Sequence, residues 1–322
     1  MYLYVIFETI LIKKNVSIIA RFVLFADDLN LFVSHSDRKC LYQIANTILH
    51  DLYEYCHLNR LIINYDKCCF MEFNKSQDDD EKFALGILNS PFLQVSKCKF
   101  LGVYINDNLS WDDHIKYVTG QVSKSCGSIY SIKSCVPLKI LRKIYMALVQ
   151  SYLIYCIPLW GSLHKSASLN KLFILQKKCI RLINNRTKKI DGIFPHTKPL
   201  FKKSNVLTVF NLYYYMTCIE ATKIVQFESP IAIYEFFDIS IRSQRFIIPK
   251  FRLSKIMNKS FIYNSSKILN YLLQQDIKYY ELSPDNFKTR LKKHLTFTQS
   301  LSINGDDEWL PCNHDIFSDV TF

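Results

Sequence analysis

The chain has 322 residues, with 41 Lys and Arg against 28 Asp and Glu, a net charge of +13 and a pI near 9.1. A hydrophobic content of 49% is enough to fill a core in one large domain or two ordinary ones, which excludes wholesale disorder. Only seven Gly occur and none forms a GxGxxG or GxxxxGK(S/T) run, so the common dinucleotide and Walker-type phosphate cradles are excluded as well. Eleven Cys without a CxxC pair argue against a tetrathiolate zinc site or a small disulfide scaffold. They point instead to a reducing, intracellular setting, in the cytoplasm or the nucleus. The basic excess points to a polyanionic partner, either nucleic acid or a membrane surface.

In chain order, residues 1–25 are apolar but are split by Lys13-Lys14-Asn15, which suits neither a secretory signal nor a spanning helix. Residues 20–25 and 29–34 are two β-rich runs joined through Ala26-Asp27-Asp28, the pattern of a hairpin. After Ser36-Asp37, a plausible N-cap, apolar positions recur at Leu41, Ile44, Ile48, Leu52, Tyr55 and Cys56. This spacing predicts an amphipathic helix ending near Asn59. Short strands are expected at Leu61–Ile63, Cys68–Phe73, Ala84–Leu88 and Phe100–Ile105, with an acidic solvated loop at 77–81. Asn106-Asp107-Asn108 supplies turn chemistry.

The period then becomes helical. Ser110-Trp111-Asp112-Asp113 fits a capping box before a helix with Ile115, Val118, Val122, Cys126 and Ile129 on one face. Pro137 is placed in the first turn of a second helix, which Pro158 is expected to stop. The uncharged run Ile144–Trp160 reads as a buried core helix in preference to a membrane span, because it carries Gln150, Ser151 and three Tyr. A third helix follows Ser168, with Leu172, Leu175, Cys179 and Leu182. Later helices are expected near 206–226, Lys267 and Phe287, the last starting at Ser283-Pro284. The fold class is therefore α+β, sheet-rich in the first third and helical afterwards.

Two adjacent carboxylates at a hairpin turn can both face one cation, and paired divalent metals held by carboxylates drive in-line nucleotidyl transfer. Phe25-Ala26-Asp27-Asp28 resembles the (Y/F)ADD box of reverse transcriptases. Three further ordered blocks resemble the same source, the jockey-like, LINE-type, non-LTR retrotransposons. They are Asn59-Arg60-Leu61-Ile62-Ile63-Asn64 continuing through Lys67 to Phe73, Phe100-Leu101-Gly102-Val103 continuing through Leu109, Trp111 and His114, and a helical cadence through Tyr145, Trp160-Gly161 and Leu175–Arg181.

The resemblance implies a partial polymerase palm over 1–107, with the Asp-Asp hairpin, a helix, short strands and a primer-grip strand. A basic helical thumb over 108–200 and a helical, retrotransposon-type extension over 201–322 follow. It implies that Asp27 and Asp28 are catalytic and hold Mg²⁺, that Lys67 lies near the leaving pyrophosphate, and that Phe100, Leu101 and Gly102 form the primer grip. The implied partners are an RNA template, a DNA primer and deoxynucleotide triphosphates, with no membrane. Trp111 and His114 read as packing and capping residues.

Departures from the family pattern are specific. The upstream palm carboxylate is missing, since Glu8 is the only acid before Asp27, and Cys68 and Asn106 replace Thr and Asp. The expectation is a fragment of an RNA-directed DNA polymerase from a mobile element that is inactive alone, its first motif in a missing upstream segment. The alternative is a non-catalytic, sequence-independent nucleic-acid-binding remnant.

Charge supports a nucleic-acid partner separately. Residues 114–190 hold 14 Lys and Arg and no acid, while the rest of the chain, 27 basic against 28 acidic, sums to −1. Lys116, Lys124, Lys133, Arg142, Lys143, Lys177, Lys178 and Arg181 are the candidate phosphate contacts.

Overall fold

A computed structural model describes residues 2–8, 19–26, 28–73, 83–88, 90–162, 167–185, 196–227, 230–240, 245–249, 260–274 and 283–298. The chain divides into two compact units, Met1–Asp113 and His114–Phe322. The first combines small sheets with one long helix and the second is helical, the α+β arrangement expected from the change of period.

Unit one is built on a five-stranded sheet of order β2-β3-β1-β4-β7, from strands β1 (Tyr2–Glu8), β2 (Ile19–Phe25), β3 (Asp28–Ser34), β4 (Cys69–Phe73) and β7 (Leu93–Gln94). β2 and β3 form the expected antiparallel hairpin, with Phe25 opposite Asp28. β1 runs parallel to both β3 and β4, between them, and β7 runs parallel to β4.

Helix α1 (Arg38–Leu58) starts where the sequence places it, because the Asp37 carboxylate accepts from the Cys40 N–H at 2.6 Å and satisfies a free donor of the first turn. Its apolar face, Leu41, Tyr42, Ala45 and Leu49, packs on Leu29, Leu31 and Val33 of β3, the alternate residues that face one side of the sheet.

Three details differ from expectation. Leu61–Ile63 forms no strand. Ala84–Leu88 contributes only β5 (Gly86–Ile87), paired with β6 (Ser90–Pro91). Phe100–Ile105 is a hairpin instead of one strand: β8 (Lys97–Phe100) turns back into β9 (Val103–Asn106) through Leu101 and Gly102, whose φ values of 44° and 87° suit a type I′ turn. The expected acidic loop at 77–81 lies outside the described residues.

Helix α2 (Asp112–Ile132) begins without the anticipated capping box. The Ser110 N–H donates to Asn108 Oδ1 at 3.0 Å, and Asp113 instead accepts from Asn106 Nδ2 at 2.7 Å and Lys97 Nζ at 3.3 Å. Its apolar face is as expected, with Ile115, Val118, Val122, Cys126 and Ile129 all buried.

Pro137 caps α3 (Leu138–Tyr145), which passes through a π-helical turn (Met146–Gln150) into α4 (Ser151–Ile154). The chain then breaks at Cys156, at φ 50°, and Pro158 lies in the first turn of the next helix, α5 (Ile157–Trp160), instead of stopping the previous one. Tyr145, Val149, Leu153, Ile157 and Trp160 are all fully buried, so the uncharged run is core. Among the described residues no helix is long and apolar enough to cross a membrane.

Helix α6 (Ala167–Ile183) packs against α3 and against α7 (Lys198–Ser204). Helix α8 (Val209–Phe227) buries 12 of its 19 residues and packs against α4, α5, α9 (Ile231–Tyr234), α10 (Phe261–Gln274) and α11 (Pro284–Thr298). The described helices of 114–200 and of 201–298 thus share a core. Gln176 of α6, itself fully buried, joins the layers: its Nε2 donates to the Tyr145 hydroxyl and to Leu207 O, each at 3.0 Å, while its Oε1 accepts from Val209 N–H at 2.8 Å.

Candidate nucleotidyl-transfer and nucleic-acid site

Asp28 lies at one end of the five-stranded sheet, and pairing shows what accompanies it. Asp28, half-buried, opens β3 and lies opposite Tyr2 of β1, while Tyr4 lies opposite both Asn30 and Cys69. Because β3, β1 and β4 are parallel, the residues just before Cys69 emerge at the same end as Asp28. They include Lys67, which is exposed and ends a short 3-10 turn, Tyr65–Lys67. The two outer strands are two spacings apart, about 10 Å. The sheet thus brings two of the expected site residues, Asp28 and Lys67, to a common end. Asp27 lies outside the described residues. The preceding Ala26 is held at φ 53°, a left-handed conformation disfavoured for residues with a Cβ.

The same register separates Glu8. It is paired with Ser34, at the opposite end of β3 from Asp28, about 20 Å away at ~3.3 Å per residue. Among the described residues no group of three metal-ligating side chains gathers around Asp28. Asn30, two residues on and on the same strand face, is fully buried; its Nδ2 donates to Val23 O at 3.2 Å and its Oδ1 has no hydrogen-bond partner among the described residues. A pair of Mg²⁺ ions needs several carboxylate oxygens, so this end of the sheet does not fit a two-ion clamp from the described residues.

Phe100, Leu101 and Gly102, all half-buried, lie at the tip of the β8–β9 hairpin, which forms a sheet of its own. They are not in the sheet that carries Asp28.

The eight candidate phosphate contacts all lie in unit two, on α2, α3 and α6 or just beyond α2. Lys116, Lys124, Lys143 and Lys178 are exposed and Lys133, Arg142, Lys177 and Arg181 half-buried. Lys177 lies over the Phe173 ring at 4.4 Å and Lys133 over Tyr130 at 4.3 Å. Burial lowers the pKa of Arg181. On α2 the exposed residues Lys116, Gly120, Ser123, Lys124, Gly127, Ser128 and Ser131 form one face, with exposed Asp112 and Tyr130 at its edge, and a Cβ at Gly120 or Gly127 would meet nothing within 4 Å. This face combines positive charge with small side chains, which allows close approach of a polyanion to the helix.

His114 is a packing residue. It is 1% exposed, lies edge-on to Trp160 at 5.5 Å, and burial pushes its pKa down to about 4.

A buried ion-pair network escaped sequence reasoning. Glu72 of β4 accepts from Arg38 Nε at 2.6 Å and Nη2 at 3.1 Å, and from the Tyr42 hydroxyl at 3.1 Å. The signal was present: Glu72 is the only charge in the apolar strand Cys69–Phe73, and such a charge needs a partner.

Neither a protein-family model, nor a curated protein, nor a solved structure matches this chain.

Proposed function

We propose that this chain is the C-terminal part of a non-LTR, LINE-type reverse transcriptase, an RNA-directed DNA polymerase region whose first carboxylate motif is not among its 322 residues. The observation that carries the reading is the sheet end shared by Asp28 and Lys67, residues of two motifs that the resemblance assigns to one active site. The order of the four sequence blocks and the strained Ala26 beside the acidic pair support it. In this reading Asp27 and Asp28 would be two of the carboxylates that hold Mg²⁺ once the missing motif completes the site, and Lys67 would neutralise charge near the leaving pyrophosphate. The chain alone does not polymerise, because Glu8 lies at the wrong end of β1 to serve as the absent carboxylate.

Primer extension on an RNA template with added Mg²⁺ tests the claim of inactivity. The expected result is no incorporation; processive incorporation that Asp27→Asn abolishes would overturn it. Binding tests the family reading: an RNA–DNA primer-template should bind in low salt, and no binding there would count against it.

The second reading, a nucleic-acid-binding remnant without catalysis, is favoured by the acid-free basic stretch 114–190 and the small, lysine-bearing face of α2. It predicts the same binding, with no change on Asp27→Asn.

A further inference from the structure

We infer that His35, Asp37 and Cys40 form a binding site for a divalent transition-metal ion of the zinc class, at the junction of β3 and α1. One ligand atom from each of the three side chains lies within 4.8 Å of the others. A tetrahedral zinc ion places its ligand atoms about 3.5 Å apart, given bonds of roughly 2.1 Å to nitrogen and 2.3 Å to sulfur. Closing the set therefore takes a contraction of about 1 Å or a little more, within reach of side chains that are half-exposed at His35 and Cys40 and exposed at Asp37.

The local fold gathers the three groups. The chain leaves β3 at Ser34, bends, and enters α1 at Arg38. Asp37 caps the helix by accepting from the Cys40 N–H, and its carboxylate also takes a hydrogen bond from the Cys40 thiol, so the two candidate ligand groups already meet and an ion would replace the thiol proton between them.

Outer contacts that orient metal ligands are already present. His35 Nδ1 lies 3.0 Å from both the N–H and the carbonyl oxygen of Asp37. Without an ion, Nδ1 accepts from the N–H. With an ion on Nε2, the protonated Nδ1 donates to the carbonyl, so neither tautomer leaves that nitrogen unsatisfied.

A donor set of one nitrogen, one oxygen and one sulfur selects the zinc class over Mg²⁺ or Ca²⁺, which prefer oxygen alone. Binding converts the Cys40 thiol to a metal-bound thiolate and releases one proton to solvent. Three protein ligands leave the fourth position to water. The site follows the end of β3 opposite Asp28, so it stands or falls independently of the polymerase reading.

Titration of the full reduced chain with Co²⁺ tests the proposal, since a cysteine ligand produces a thiolate-to-cobalt charge-transfer band in the near ultraviolet. One equivalent should develop the band. Cys40→Ser should abolish it, His35→Ala should weaken binding about tenfold or more, and Cys135→Ser, at an exposed lone thiol, should change nothing. A second measurement needs no variant: Zn²⁺ should slow alkylation of Cys40, followed by peptide mass mapping, without slowing that of Cys135. A band that survives Cys40→Ser, no band at all, or alkylation of Cys40 indifferent to Zn²⁺ would overturn the site.

Discussion

His114, which the sequence places just after Trp111, is buried against Trp160. Its imidazole stays neutral against Trp160 with a pKa near 4, whereas in the unfolded chain it titrates near 6.5. Below pH 6.5 the unfolded state binds a proton that the folded state refuses, so stability falls as pH drops from 6.5 towards 4. At pH 5 the loss from this residue is about 2 kcal/mol. Urea midpoints at pH 7 and pH 5 should therefore fall further in the wild type than in His114→Phe; equal changes would refute the burial argument. Arg38 offers the opposite case, a charge that unit one needs. Its removal strands the Glu72 carboxylate, which is 4% exposed, and Arg38→Ala is expected to cost roughly 3–5 kcal/mol, read as a shift of the unfolding midpoint. The lone charge in β4 was visible in the sequence, but its partner, 34 residues earlier at the start of α1, was not.

At the scale of elements, helices and the β2–β3 hairpin were legible because periodicity and local caps determine them. The errors cluster where a backbone conformation that L-residues rarely adopt intervenes. Leu101 and Gly102 turn an expected strand into a hairpin, and Cys156 at φ 50° restarts a helix that Pro158 was expected to end. Gly102→Ala should cost about 1–2 kcal/mol by forcing a Cβ into φ 87°, while Gly120→Ala, in open space on a helix, should stabilise slightly. Thermal unfolding of the two variants would separate turn from helix. The buried run from Tyr145 advances in steps of four, which drift about 40° each around a regular helix. The wider π turn takes up that drift, a solution that no pattern count anticipates.

For the whole molecule, charge is the feature that unites sequence and structure. Helices α2, α3 and α6 bury apolar residues in unit two and leave Lys116, Lys124, Lys143 and Lys178 exposed, which on the proposed reading would face phosphates. Replacing Lys177, Lys178 and Arg181 together by Ala should make the dependence of log K on log salt less steep by up to about 3, nearly one per lost phosphate contact. An unchanged slope would remove these side chains from the interface. The sequence by itself determined the α+β succession, the β2–β3 hairpin, the capped start of α1 and the basic character of 114–190. These follow from local periodicity, turn chemistry and the count of charges. Only the tertiary structure decided that Lys67 shares a sheet end with Asp28, that Glu8 does not, and that Gln176 and Glu72 are buried in polar networks. Each of those depends on strand order, strand direction and the packing of segments distant in sequence, which a linear pattern does not encode.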